Sequence, residues 1–129
     1  MSCKKAIATA QAPAAIGPYS QAVATTGLLF ASGNLPVDPA TSTMVDGDIT
    51  ARTHQVLKNL TAVAEAGGCS LNDAVKVTVF MTDLADFKAM NAVYAEYFAE
   101  PYPARSAVQV AALPLGSNIE IEAIFACKA

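Results

Sequence analysis

Charge is scarce in this chain of 129 residues: Asp, Glu, Lys and Arg together make up 15% of it, and 8 basic against 11 acidic residues leave a net charge of −3. Non-specific grip on nucleic acid depends on clustered Lys and Arg, so that partner is not expected. Histidine is scarcer still. His54 is the only one, which leaves nothing to build a multi-histidine metal site on and little for a Ser-His-Asp triad. It falls in a helical stretch near no motif, so the plain reading is a packed or solvated imidazole. Glycine-rich phosphate loops are absent, against nucleotide chemistry. Apolar runs are broken by Pro, Gly or charge well before the ~20 residues a membrane-spanning helix needs, so no membrane partner is expected. Lys4 and Lys5 are followed by no apolar run, as a secretory signal would require; a cytoplasmic protein is expected, with an organelle left open. Cys3, Cys69 and Cys127 are odd in number and scattered, which fits neither a disulfide framework nor a metal set and predicts reduced thiols.

What is abundant is apolar surface, at 53% of residues. With no linker-like stretch, residues 1–129 are expected to form one domain, and the excess over one small core is expected to meet another subunit. Lys4 to Thr9, Gln21 to Thr25 and Leu28 to Ser32 read as short strands between turn-like stretches. A loop surrounds Pro36-Val37-Asp38-Pro39. Asp48 then leads a helix with Ile49, Val56, Leu60 and Val63 at helical spacing, closed by Gly67-Gly68. Val75 to Met81 alternates as a strand. Thr82 or Asp83 can cap a second helix whose apolar stripe, Phe87, Met90, Tyr94, Tyr97 and Phe98, is suited to packing on a sheet. Pro101 and Pro103 stop it. Strands from Arg105 to Leu113 and from Ile119 to Cys127 complete a βββαβαββ order, an α+β fold with two helices on one face of a mixed sheet.

Alternation divides the last two strands. Arg105, Ala107 and Gln109 oppose Val108 and Val110, and Glu120 and Glu122 oppose Ile119, Ile121, Ala123 and Phe125. With the apolar sides under the helices, Arg105, Glu120 and Glu122 are expected to share the helix-free face, at a seam between subunits that leaves them partly desolvated.

The residues Ala12-Pro13-Ala14-Ala15-Ile16-Gly17-Pro18-Tyr19-Ser20-Gln21 and Phe30-Ala31-Ser32-Gly33-Asn34-Leu35-Pro36 resemble two segments of the RidA/YjgF family of enamine/imine deaminases. The likeness continues through Val77 to Leu84 and Asn91-Ala92-Val93-Tyr94. It is most specific at Tyr102-Pro103-Ala104-Arg105-Ser106-Ala107-Val108 and Ile119-Glu120-Ile121-Glu122-Ala123. The resemblance implies a chorismate-mutase-like fold, a homotrimer with clefts between subunits, and no cofactor. It implies a reaction too: hydrolysis of 2-aminoacrylate and related 2-enamino and 2-imino acids, released by pyridoxal-phosphate enzymes, to 2-keto acids and ammonia.

The chemistry assigns roles to the matching residues. A small imino acid offers its carboxylate as the strong handle, and the planar fork of Arg105 suits it with two parallel charge-assisted hydrogen bonds. An imine carbon is already electrophilic, so what is needed is a placed water and a proton shuttle, for which Glu120 is the candidate; an Arg105–Glu120 structural pair is the bland alternative. By resemblance, Tyr19 closes the cleft from a neighbouring subunit, and Ser32, Gly33, Asn91 and Ala107 line or support it. Ala107 stands where many members have Cys, Asn34 where Gln is commoner and Ala112 where Arg is frequent, which puts substrate preference in question. Two other readings are a non-catalytic trimer that binds keto acids or other carboxylates in a regulatory role and, with no basic patch to support it, an RNA-directed activity.

Overall fold

The fold is taken from a computed structural model that describes residues 3–127. A six-stranded sheet has the order β1-β2-β3-β8-β6-β7, built from β1 (Lys5–Ile7), β2 (Ala22–Thr25), β3 (Leu28–Asn34), β6 (Ala74–Met81), β7 (Ala104–Gln109) and β8 (Ile119–Ala126). All neighbours are antiparallel except β6 and β7, which run parallel because α2 (Phe87–Tyr97) carries the chain across between them. This is the expected α+β arrangement, with one addition. Inside the predicted loop, β4 (Val37–Asp38) and β5 (Thr43–Met44) pair as a small hairpin that periodicity cannot reveal in two-residue strands.

Helix α1 (Ile49–Ala66) begins where the sequence placed it, the Asp48 carboxylate accepting from the Ala51 amide at 3.0 Å. Such a cap is worth about 1 kcal/mol. At the other end Gly68 takes φ +83°, the left-handed conformation that costs glycine nothing. Val56, Leu57, Leu60 and Val63 meet Val77, Val79, Met81, Ile119, Ile121 and Phe125 in one core, and each of these side chains is almost fully buried. At about 1.5–3 kcal/mol for each large side chain withdrawn from water, this packing fixes which sheet face the helices cover.

Several expectations are corrected in detail. Strand β7 stops at Gln109 rather than Leu113, and β1 is shorter at both ends than Lys4 to Thr9. Asp83 does cap, but what it caps is a single 3-10 turn, Leu84–Asp86, ahead of α2. Val75 is exposed, because a register shift between Ala74 and Lys76 takes it out of alternation. In the α2 stripe Tyr97 is only partly buried, and its hydroxyl lies 2.9 Å from Nδ1 of His54, tying the two helices together. The expected reduced thiols are found only in part. Cys3 is free and exposed, whereas Cys69, after the α1 terminus, and Cys127, after β8, have Cα atoms 5.5 Å apart and form a disulfide. Sequence spacing could not indicate this, since only the fold brings two positions 58 residues apart together.

The largest correction concerns Arg105. Register pairs Arg105 with Val77, Ala107 with Val79 and Gln109 with Met81, so these β7 residues share the face that the helices cover. Glu120 and Glu122 pair with Phe80 and Thr78 and point the other way. Alternation gives two faces to each strand but not which face of an edge strand joins which face of its neighbour; the pairing decides that.

Candidate functional site

Two separate hollows are lined by five of the seven residues singled out from the sequence, with Ala107 and Glu120 adjoining them. One lies where the far end of α2 overhangs edge strand β7 and is lined by Asn91, Tyr94, Tyr102, Pro103 and Arg105. Here Arg105 Nη1 donates to Oδ1 of Asn91 at 2.7 Å. Its Cζ lies 4.6 Å from the ring centroid of Tyr94 and 5.5 Å from that of Phe87, both within cation–π range. Among the described residues, the contacts of this guanidinium are an amide oxygen and two aromatic faces, none of them a carboxylate. The structural Arg105–Glu120 pair considered above is therefore not formed within the chain. Ala107 follows two residues along β7 on the same face and is half-buried.

The other hollow is walled by the loop before β2 and by β3: Pro13, Ile16, Tyr19, Ser32, Gly33 and Leu115 contribute to it. Gln21 organises the loop. Its buried amide donates to the carbonyls of Thr9, Ala12 and Pro13, and its oxygen accepts from the Thr9 amide at 2.6 Å. Tyr19 is thereby presented half-exposed, its hydroxyl accepting from the Ile16 amide at 3.4 Å. Ser32 donates to the Ser20 carbonyl at 2.6 Å, tying β3 to the same loop. Asn34, one of the departures from the family pattern, is buried and donates to the Ser32 carbonyl at 3.3 Å.

Between the pairs Ala31–Ala123 and Asn34–Ile121, β3 contains one residue more than β8. Such a bulge redirects the strand locally, and here it brings Gly33 against Glu120. A Cβ on Gly33 would fall 2.7 Å from the carboxyl carbon of Glu120, so only glycine lets this backbone and carboxyl approach so closely.

The proton affinity of the Glu120 carboxyl is raised. Burial is the larger cause and the charge of Glu122 adds to it. The native state then retains a proton on Glu120 at pH values between the ordinary carboxylate range and its raised pKa, where the unfolded chain has already lost it. Stability accordingly falls as pH rises through that window. Replacing Glu122 with Gln removes the like charge and is expected to move the Glu120 titration to lower pH without returning it to the ordinary range, because burial remains. A carboxyl 13C NMR titration of the variant reads this directly; an unmoved midpoint would show that Glu122 exerts no such influence.

All seven sequence-chosen residues thus lie at or beside a hollow: Arg105, Asn91 and Ala107 at one, Tyr19, Ser32, Gly33 and Glu120 at the other. The chain does not bring the two sets together, since Arg105 and Glu120 project from opposite faces of the sheet. Sequence reasoning missed Phe87 and Tyr94 as Arg105 neighbours, treating them only as packing. The available signal was spacing: Phe87, Asn91 and Tyr94 fall on one side of a helix, two of them capable of holding a cation and the third of accepting from it. Among the described residues no group of three or more His, Cys, Asp or Glu side chains is placed to hold a metal, and none of the helices is long and apolar enough to cross a membrane.

Residues 9–127 match the family described as Endoribonuclease L-PSP. A RutC family protein of Pyrococcus horikoshii, PH0854, is 54% identical over 121 residues, covering 94% of this chain and 96% of that protein. A Capra hircus protein named 2-iminobutanoate/2-iminopropanoate deaminase is 48% identical over the same length, covering 94% and 88% respectively. Among solved structures, RidA from the Antarctic bacterium Psychrobacter sp. PAMC 21119 superposes with a TM-score of 0.91 at 49% identity, over 95% of this chain and 98% of that one.

Proposed function

Since the chain belongs to the RidA/YjgF family, we propose that it is an imine deaminase for small 2-imino acids, including the tautomers of 2-aminoacrylate, with sites completed between copies of a homotrimer. The observation that carries this reading is the division of the two half-sites. One holds a cation unpaired with any carboxylate among the described residues, the other a carboxyl with raised proton affinity, and the sheet separates them. A three-carbon or four-carbon acid cannot reach both within one chain. In a cyclic assembly the Arg105 half of one copy can face the Glu120 half of the next. The helix-free face gives such an assembly something to cover, because Phe30 and Val108 are about 40% exposed there (41% and 40%) with Ile124 and Phe80 beside them.

In the proposed reaction Arg105 grips the substrate carboxylate through its fork while Tyr19 and Ser32 narrow the cleft. Glu120 accepts a proton from water as the oxygen adds to the C=N carbon and returns it to the imine nitrogen, giving a carbinolamine. The carbinolamine hydroxyl proton then passes by way of Glu120 to nitrogen, so that the C–N bond breaks as the C=O forms and imino acid and water give a 2-keto acid and ammonia. A carboxyl with raised pKa is suited to both halves of this exchange, since it spends appreciable time in each protonation state nearer neutral pH. No cofactor is required, because the electrophile is already present in the substrate. The reading also takes residues 1–129 as one domain acting in the cytoplasm on small molecules rather than on nucleic acid.

The purely carboxylate-binding alternative needs Arg105 but gives Glu120 no task, and a carboxylate at an anion site weakens binding. The deciding assay generates 2-aminoacrylate or its four-carbon counterpart with a serine or threonine dehydratase and follows decay of the imine. This protein is expected to accelerate the decay, and to sediment at about three times the chain mass as a closed cyclic trimer. No acceleration, or an active monomer, overturns the reading.

A further inference from the structure

We propose that Tyr94 is a positioning residue for Arg105, its ring acting as a fixed floor that holds the guanidinium in one orientation without neutralising it. This deepens the function proposed above and rests on that reading only for its consequence on catalysis. An arginine side chain turns about several bonds, and a fork that must meet a carboxylate with two parallel hydrogen bonds has to be held before the substrate arrives. An acidic partner would hold it but would also occupy the donors and cancel the charge. Here the work falls to three side chains of α2 at positions that share one side of the helix, Phe87, Asn91 and Tyr94.

Tyr94 is the firm member of this set. It is only 6% exposed, its ring is stacked on Phe98 with centroids 4.3 Å apart and planes 25° from parallel, and the Arg105 Cζ lies 4.6 Å from its centroid. The negative face of the ring attracts the cation from one side. Asn91 restrains rotation in the guanidinium plane by accepting from Nη1 at 2.7 Å, and no carboxylate is paired with Arg105 among the described residues. That leaves the cation open to an incoming carboxylate.

The tyrosine hydroxyl is itself buried and has no well-formed hydrogen bond among the described residues. Burial raises its pKa and outweighs the opposing charge of Arg105 and the polar contact with its guanidinium, so the neighbour of the cation is a neutral phenol, not a phenolate. The charge of Arg105 therefore remains for a ligand.

The test compares Tyr94→Leu, which removes the aromatic floor, with Tyr94→Phe, which keeps it. In the intact, unliganded protein, 15N relaxation of the Arg105 Nε–H should report a restrained side chain, a mobile one in Tyr94→Leu, and restraint recovered in Tyr94→Phe. In the imine assay Tyr94→Leu is expected to raise KM about tenfold with a smaller change in kcat, and Tyr94→Phe to recover most of that loss. An Arg105 Nε–H that stays equally ordered in Tyr94→Leu overturns the proposal, as does a Tyr94→Phe variant as impaired as Tyr94→Leu. If the Nε–H order follows the expected pattern but the unaltered protein turns over no imine, the positioning role stands and the deaminase reading is the one that fails.

Discussion

Replacement of Glu120 with Gln is expected to lower turnover of a 2-imino acid by about 10²- to 10⁴-fold, the usual worth of a well-placed general acid–base group. The substitution keeps the side-chain shape against Gly33 but removes the group that exchanges protons. Binding of a product-like 2-keto acid should survive, and should tighten somewhat, because a carboxylate no longer opposes the anion. The fall therefore belongs in kcat, with KM unchanged or lower. Steady-state kinetics in the dehydratase-coupled assay, alongside calorimetric binding of 2-ketobutanoate, separate the two quantities. Full turnover by Glu120→Gln would assign the proton transfers to another group; loss of binding would make Glu120 a support of the cleft.

The second large effect is expected at Arg105. Two charge-assisted hydrogen bonds at about 1.5–3 kcal/mol each put the loss of kcat/KM in Arg105→Ala at about 10²- to 10⁴-fold. Arg105→Lys should recover little of it, since an ammonium carries the charge without the planar pair of donors. Here the separation of the half-sites makes a stronger test than either substitution alone. When Arg105→Ala and Glu120→Gln chains are unfolded together and reassembled, about one cleft in four in a randomly mixed cyclic trimer receives both intact halves. Activity should reappear at about that fraction of the unaltered protein. Mixed assemblies as inactive as the parents would mean that both residues act from one chain, against their placement on opposite sheet faces.

How far the sequence could be trusted varied with the range of the interaction involved. The start of α1 at Asp48, its end before Gly67-Gly68, and the strand through Val77, Val79 and Met81 were legible, because caps and periodicity act over a few residues. The mini-hairpin β4–β5, with two residues in each strand, was too short for any period to register. Chemical character was legible for individual residues as well: a fork-shaped cation at Arg105, a proton-carrying acid at Glu120, a glycine at 33 that admits close approach. Their arrangement was not. Placing Arg105 and Glu120 on a common face followed from assuming that the polar sides of two strands align, whereas strand β7 sits at the sheet edge and pairs so that its arginine meets α2.

The sequence by itself determined the order of the two long helices and the strands of the main sheet, the two-faced strands, the core that covers one sheet face and the kinds of chemistry available, because each depends on local spacing and residue type. Only the tertiary structure decided that Cys69 meets Cys127, that an extra residue in β3 seats Gly33 on Glu120, and that Tyr94 lies under Arg105. These are contacts between segments distant along the chain. Their geometry is set by strand register and by the packing of helices on the sheet, and neither leaves a periodic trace in the order of residues.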